Sequence, residues 1–197
     1  MVFGTIFLGK VKEMNKQWVE TKFIVIGIPI FPTSSMLVTA SSHNRRQGIN
    51  IPLNTTSVIA GYARLLTFIS ALAFLFMGSG YFQIIGIILG ILWAYFYFKF
   101  GKVDQNEIAE RTKLGRSIGI YALPNWFSFD DAITHYKNLH FHYKEKFQNS
   151  DWKTDLASSI VPQEKRPALY ALALFNYMID QSGENEILLN KADSIYK

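Results

Sequence analysis

Residues 65–98 form a run of 34 residues without a single charged side chain, interrupted near its middle by Gly78-Ser79-Gly80. A helix crosses the hydrocarbon core of a bilayer with about 20 apolar residues. The run is therefore too long for one crossing and just long enough for two short crossings around a tight turn. It predicts a transmembrane helical hairpin over residues 58–100, with spans at residues 58–77 and 81–98.

The charges that flank the predicted hairpin set its orientation. Residues 1–64 carry seven Lys or Arg against two acidic residues, the turn carries none, and Lys99 and Lys102 follow the second span at once. The second span also ends in an aromatic cluster at residues 93–98, as is common at membrane interfaces. By the positive-inside rule we expect both termini in the cytoplasm, with the turn on the far side of a bacterial inner membrane.

The formal charge of +5 lies in residues 1–64, because residues 99–197 balance thirteen basic residues against thirteen acidic ones. Each cation close to a membrane surface is attracted to anionic lipid by about 1 kcal/mol. We therefore expect the lipid bilayer, and not nucleic acid, to be the partner of this basic segment. The candidate anionic-lipid contacts are Lys22, Arg45, Arg46, Arg64, Lys99 and Lys102.

Arg64 lies inside the first predicted span, close to its start. A charge at the centre of a membrane helix costs roughly 2.5–3.5 kcal/mol, so we expect its guanidinium to reach the headgroups. Gly86 and Gly90 form a G-x-x-x-G pair on the second span, a spacing that lets helices approach closely. We expect this pair to pack within the hairpin, and contact between copies in a homo-oligomer is the alternative.

Residues 1–57 are expected to form a basic, β-rich juxtamembrane segment of three or four short strands. Its most apolar part, residues 23–38, contains Gly27, Pro29 and Pro32, and a third span is not expected because these residues break helices. Two placements remain open. One is a pair of strands around a turn at residues 28–32, and the other is a shallow loop that pushes Phe31 into the membrane interface.

Residues 101–197 are expected to form a soluble α-helical domain in the cytoplasm. A polar helix over residues 104–114 is expected to end at Gly115. Ser128 and Asp131 match a capping box, which predicts a helix that begins there and continues to Phe147.

The last third of this domain contains two more predicted helices. Residues 168–179 are apolar nearly all round, as in a central packed helix, and Gly183 is expected to end that helix. A final amphipathic helix follows, up to Tyr196. The whole chain therefore predicts an α+β membrane protein with a β-rich segment, a two-helix transmembrane hairpin and a soluble helical domain.

The sequence predicts no catalytic, cofactor-binding or metal-binding residue. Cysteine is absent, which excludes disulfides and thiolate chemistry. Residues 115–119 match G-x-S-x-G, but a polar helix precedes them where a nucleophile elbow needs a strand. His135, His140 and His142 are five and two residues apart, which does not place them on one helical face, so we expect packing or solvated histidines.

Several short motifs resemble a widespread and largely uncharacterised family of small bacterial membrane proteins. The motifs are a glycine-containing opening at residues 4–10, Glu20-Thr21-Lys22-Phe23, Ile28-Pro29-Ile30-Phe31-Pro32 followed by Ser35, and Pro52-Leu53-Asn54 ahead of the membrane helices. The resemblance covers residues 3–98. It implies the architecture alone, because the family supplies no reaction, cofactor or catalytic residue.

Two functional hypotheses follow. The first is a membrane anchor or scaffold without enzymatic activity, whose helical domain at residues 101–197 binds a soluble protein partner. The second is an enzyme or transport accessory that acts on an anionic lipid or phosphate-bearing substrate near the membrane. Its site would lie near Lys22, Ser35, Arg45, Arg46 and Arg64.

Overall fold

A computed structural model of the chain describes residues 3–26, 28–42, 45–77, 80–148 and 150–196. Within these residues the protein is an α+β structure with a four-stranded antiparallel sheet and seven α-helices. It divides into two compact units, Met1–Asp104 and Gln105–Lys197. The finer division into residues 1–57, 58–100 and 101–197 stays a prediction.

The first unit begins with a meander of four strands. They are β1 (Phe3–Met14), β2 (Gln17–Ile26), β3 (Ile28–Ser42) and β4 (Arg45–Ile51), and each pairs with the next in the chain. Asn15 and Lys16 join β1 to β2 with φ angles of 49° and 63°. Two such residues form the tight hairpin turn whose twist matches that of the flanking strands. The predicted β-rich segment is confirmed.

The turn predicted at residues 28–32 is wrong, because β3 already begins at Ile28. Pro29 pairs with Val25 and Pro32 pairs with Phe23, with irregularities in the register on both sides. Proline is tolerated here because, among the described residues, β4 pairs with β3 only from Ser35 onward. The first part of β3 is thus a sheet edge, where a missing N–H removes no bond to a second neighbour.

Two long apolar helices follow the sheet, α1 (Thr55–Phe76) and α2 (Gly80–Phe98). Asn54 caps the N-terminus of α1, and its side chain accepts a hydrogen bond of 3.0 Å from the Ser57 N–H. Both helices are long and apolar enough to cross a membrane, and both agree with the predicted spans to within three residues at each end. Gly78 and Ser79 of the predicted turn lie outside the described residues.

A chain of buried hydroxyl groups joins the first turn of α1 to the sheet. The Asn54 N–H donates to Ser35 Oγ (2.9 Å), Ser35 Oγ lies 2.8 Å from Thr21 Oγ1, and Thr21 Oγ1 lies 2.9 Å from Ser57 Oγ. The Ser57 hydroxyl donates to the Gly9 carbonyl oxygen at 2.8 Å. Each hydroxyl has one proton, so the donors must all point the same way, from Asn54 through Ser35, Thr21 and Ser57 to Gly9.

Two glycines allow the sheet and α1 to approach this closely. Gly9 has a φ of +75°, and a Cβ there would lie 1.9 Å from the Ser57 carbonyl oxygen. A Cβ at Gly61, one turn further along α1, would lie 3.0 Å from Cζ of the buried Phe23 ring. Any larger residue at either position would push the helix away from the hydroxyl chain.

The second unit contains five α-helices and one short 3-10 helix, Pro124–Trp126, within the described residues. The α-helices are α3 (Gln105–Ile118), α4 (Phe129–Lys146), α5 (Trp152–Ala157), α6 (Arg166–Ile179) and α7 (Gly183–Tyr196). Every residue of α6 from Leu169 to Phe175 is buried, which confirms a central packed helix. The capping box of Ser128 and Asp131 at the start of α4 is also confirmed, and α4 ends at Lys146 with Phe147 as its C-cap, within one residue of the prediction.

Two predicted helix ends in this unit are wrong. Gly115 does not end α3 but lies within it, and a Cβ there would lie 2.4 Å from the Tyr121 ring. The α-helix ends before Gly119, which has a φ of +73° and whose N–H donates to the Gly115 carbonyl oxygen. Gly183 begins α7, because α6 already ends at Ile179.

We predict that Thr21→Val destabilises the first unit by about 1–3 kcal/mol, because the buried Ser35 hydroxyl loses its acceptor and the buried Ser57 hydroxyl loses a donor. Valine keeps the shape and the strand preference of threonine, so the loss measures the hydroxyl. The control is Thr33→Val, whose exposed hydroxyl donates to the Lys22 carbonyl oxygen. Thermal unfolding in detergent micelles, followed by circular dichroism, should separate the two variants, and equal midpoints would contradict the prediction.

Candidate functional site

A groove of about 380 Å³ lies in the first unit between β1, the second and third turns of α1, and the end of α2. Its walls are mostly apolar and aromatic, and three charged side chains lie among them. The residues that line the groove are Phe7, Leu8, Gly9, Lys10, Glu20, Gly61, Arg64, Leu65, Phe68, Trp93 and Tyr97. An apolar cleft with a few charged groups is the usual form of a ligand site.

Arg64 connects three segments at the groove. Its Nε donates to the Phe96 carbonyl oxygen near the end of α2 (2.8 Å), and its Nη1 donates to the Lys10 carbonyl oxygen in β1 (2.7 Å). The guanidinium also lies 5.6 Å from the centroid of the Tyr97 ring. A guanidinium carries five N–H donors, and these two bonds to neutral carbonyls leave its positive charge unpaired among the described residues.

The other two charged side chains of the groove have partners of their own. The Glu20 side chain is 8% exposed, and its Oε2 lies 3.0 Å from Arg46 Nε, so the two charges offset each other. The Lys10 ammonium lies 2.8 Å from Glu13 Oε2 and 4.2 Å from the centroid of the Trp18 ring. The lysine and Glu13 are both well exposed, which makes this ion pair weak.

The six predicted lipid contacts do not form one cluster. Arg64 lines the groove, and Arg46 contacts two of its lining residues, Glu20 and Phe7. Lys22, Arg45, Lys99 and Lys102 are not among its lining residues. Arg45, Lys99 and Lys102 are exposed, and Lys22 lies in β2 between Phe7 and Ser34 of the neighbouring strands.

Gly86 and Gly90 have different surroundings on α2. A Cβ at Gly86 would lie 2.8 Å from Leu75 Cγ and 3.1 Å from the Ala71 carbonyl oxygen, so the two helices touch at this glycine. A Cβ at Gly90 would meet no atom within 4 Å. The G-x-x-x-G pair therefore brings α1 and α2 together at Gly86 alone.

Ser35 takes no part in the groove, because its hydroxyl belongs to the buried chain that holds α1. Thr21, Ser35 and Asn54, which carry the sequence resemblance, all belong to that chain. Sequence analysis did not assign Gly9, Lys10 or Glu20 to a groove, or Ser57 to a hydroxyl chain, because the other residues of these sites lie far along the chain. Glu20, one of two acids in a basic segment, was the available signal.

The ionisable groups of the second unit bind one another within its core. The Tyr143 hydroxyl and the Lys165 ammonium both donate to Asp155 Oδ2, at 2.6 and 2.8 Å. Burial acts to raise the pKa of Asp155, but these two bonds outweigh it and the pKa is lowered. Burial and the bond to Asp155 raise the pKa of Tyr143. This cluster stabilises the packing of α4, α5 and the start of α6.

The histidines of α4 pack against aromatic rings. The His135 ring lies 5.5 Å from the Phe175 ring, nearly parallel to it, and 5.3 Å from the Phe127 ring. Burial lowers the pKa of His135, and the Asp131 carboxylate offsets only part of this effect. Across the described ranges, no three His, Asp or Glu side chains are placed to hold a metal ion.

Comparison of the chain with protein-family models, with curated proteins and with solved structures gives no match. The functional argument therefore rests on the groove, the two apolar helices and the helical unit themselves.

Proposed function

We propose that the protein is an integral membrane protein whose helices α1 and α2 form a transmembrane hairpin. One observation carries the proposal: only 17% of the most apolar window of α1, and 6% of that of α2, is buried within the described structure. A core helix of a soluble protein buries its apolar side chains, whereas a membrane helix leaves them to the lipid. The two helices here would otherwise expose a continuous apolar surface to water.

The charges and aromatic residues near the sheet support one orientation. Lys99 and Lys102 follow the end of α2, and Trp93, Tyr95 and Tyr97 lie just inside that end. Arg64, near the middle of α1, lies at the level of Phe96, to which it donates a hydrogen bond. Aromatic rings prefer the membrane interface, and Lys and Arg prefer the cytoplasmic side. In this proposal both termini lie in the cytoplasm of a bacterium, and the end of α1 and the start of α2 lie toward the other side of its inner membrane.

Single cysteines at Ser41, Ser79 and Ser182 test this topology, because the chain contains no other cysteine. In spheroplasts, a thiol reagent that cannot cross membranes is expected to label position 79 alone. Positions 41 and 182 should react only after the membrane is opened. Labelling of 41 and 182 from opposite sides would contradict the hairpin, and protection of 79 from both sides would show that the hairpin does not emerge.

We further propose that the hairpin anchors the second unit as an interaction domain for a soluble protein. This unit has a closed apolar core around Trp152, Leu156 and Leu169, and its core polar groups bind one another. Such a domain offers its surface for binding. Exposed apolar side chains such as Phe141 and Ile187 lie on that surface.

Photoreactive side chains at Phe141 and Ile187 of the full chain, cross-linked in native membranes, test the interaction domain. We expect one protein adduct of defined mass from at least one of the two positions. The adduct of a probe at position 141 should be lost in Ile187→Asp, and the adduct of a probe at position 187 should be lost in Phe141→Asp. The control carries the same probe at Phe76, which is 84% exposed near the end of α1 and should react with lipid. The absence of any protein adduct at both positions would overturn this part of the proposal.

The groove supports a second candidate function, the binding of an anionic phospholipid. Its apolar walls suit an acyl chain, and Arg64 offers an unpaired positive charge at the level of the interfacial aromatic residues. A phosphate accepts several hydrogen bonds, which suits the remaining N–H donors of the guanidinium. An enzyme or transport accessory would use the same contacts to hold its substrate.

Native mass spectrometry of the protein in mixed micelles of phosphatidylglycerol and phosphatidylcholine tests this function. We expect preferential retention of phosphatidylglycerol, reduced about fivefold by Lys10→Gln or Arg64→Gln, since one cation near a membrane contributes about 1 kcal/mol. Arg45→Gln is the control, because Arg45 is exposed and outside the groove. Equal loss in all three variants would indicate a general charge effect, and competition by glycerol phosphate would indicate a soluble ligand.

A further inference from the structure

The sheet is divided along its length into a charged end and an uncharged end. Residues 3–9 and 23–42 contain no charged side chain. At one end of the sheet, residues 3–6 of β1, 23–26 of β2 and 28–32 of β3 lie side by side, and we name these residues the apolar tip. Lys22 borders the tip between Phe7 and Ser34, on the same face of β2 as Ile24. The charged side chains of Lys12, Glu13, Lys16 and Arg45 lie at the opposite end, near the β1–β2 turn and the start of β4.

The contacts with α1 show that the apolar tip points along the same direction as the helix. Thr21 of β2 touches Ser57 in the first turn of α1, and Phe23 touches Gly61 in the second turn. In β1, Gly9 bonds to Ser57, and Phe7 faces the groove together with Leu65. Residues of β1 and β2 that lie closer to the tip therefore contact residues further along α1 from its start.

The tip extends past the level of Gly61. Residues 24–26 of β2 add about 10 Å beyond Phe23, at roughly 3.3 Å per residue, which equals about seven residues of helix at 1.5 Å each. This places the end of the tip near the level of Phe68, which lies within the charge-free run of residues 65–98. If α1 enters lipid at this depth, the tip enters it as well.

The tip also exposes large apolar side chains on one face. Ile24 pairs directly with Phe31, and Ile26 lies two residues further along β2, so the three share a face of the sheet. It is the face opposite to Phe23, which packs on α1. All three are exposed, and Phe31 is 61% exposed.

The backbone of the tip suits an environment without water. Along residues 28–32, β3 has β2 as its neighbour on one side and, among the described strands, none on the other. Pro29 and Pro32 remove two N–H donors from this edge segment. An unpaired donor in lipid costs several kcal/mol, so a strand edge with fewer donors is better tolerated there than an ordinary edge.

We propose that the apolar tip of the sheet inserts into the same membrane leaflet that α1 enters, with Ile24, Ile26 and Phe31 in contact with acyl chains. The inference rests on the proposed membrane hairpin. It makes the sheet a shallow wedge beside the helices, and its charged end stays in the aqueous phase. Lipid is favoured over a protein partner because the tip lies alongside a helix whose own apolar side chains are left exposed.

Site-directed spin labelling of the full chain in vesicles of phosphatidylethanolamine and phosphatidylglycerol tests the insertion. Nitroxides are attached to Phe31→Cys in the tip and to Ser41→Cys at the charged end of the same strand, both exposed positions. A third label at Ile88→Cys, exposed on α2, reports on the hairpin itself. Collision with oxygen, which concentrates in lipid, is compared with collision with a water-soluble nickel complex.

Insertion predicts that oxygen is the more effective collision partner at positions 31 and 88, and the nickel complex at position 41. A lipid signal at 88 with a nickel signal at 31 would overturn the insertion and leave the hairpin standing. Low accessibility to both reagents at 31 would show that protein covers the tip, which also overturns it. A nickel signal at 88 would contradict the hairpin, and with it the basis of the inference.

Discussion

The hydrogen-bonded contact between the first turn of α1 and the sheet determines how the rest of the first unit is arranged. It joins β1, β2, β3 and the helix through one direction of proton donation that ends at the Gly9 carbonyl oxygen. Such a chain is rigid, because reversing or removing one hydroxyl leaves a buried donor without an acceptor. The position of α2, the groove and the direction of the apolar tip all follow from the angle at which α1 leaves this contact.

Arg64 supplies the second connection, one turn beyond Gly61. The last carbonyl groups of a helix need hydrogen-bond donors, and so do the free carbonyl groups at a strand edge. Near lipid, water supplies fewer of these donors. The Arg64 guanidinium donates to one carbonyl of each kind, Phe96 of α2 and Lys10 of β1. The charge that the sequence suggests as a headgroup contact therefore also closes the base of the hairpin, and its remaining donors give the groove its polarity.

The sequence predicted the features that depend on composition or on neighbouring residues. The two apolar helices follow from a run without charges, and the start of α4 follows from Ser128 and Asp131, three residues apart. The sequence-based predictions were wrong where contacts between residues far apart in the chain determine the local structure. Gly115 was predicted to end a helix, but it lies within α3 because the Tyr121 ring occupies the space beside it. Pro29 was predicted to lie in a turn, but its position at the sheet edge lets it stay in β3. The groove joins residues from β1, β2 and both helices, which no local pattern reveals.

The two units differ in how their polar groups are used, and this difference is the reason for placing the proposed lipid site in the first unit. In the second unit, the Asp155 carboxylate accepts hydrogen bonds from Tyr143 and Lys165, so its charge is already paired within the unit. In the first unit, the hydroxyl chain is likewise complete. Within the described part of the first unit, Arg64 combines a net charge, unused donors and an open apolar cleft, and the proposed lipid, with an anionic head and acyl chains, would match all three.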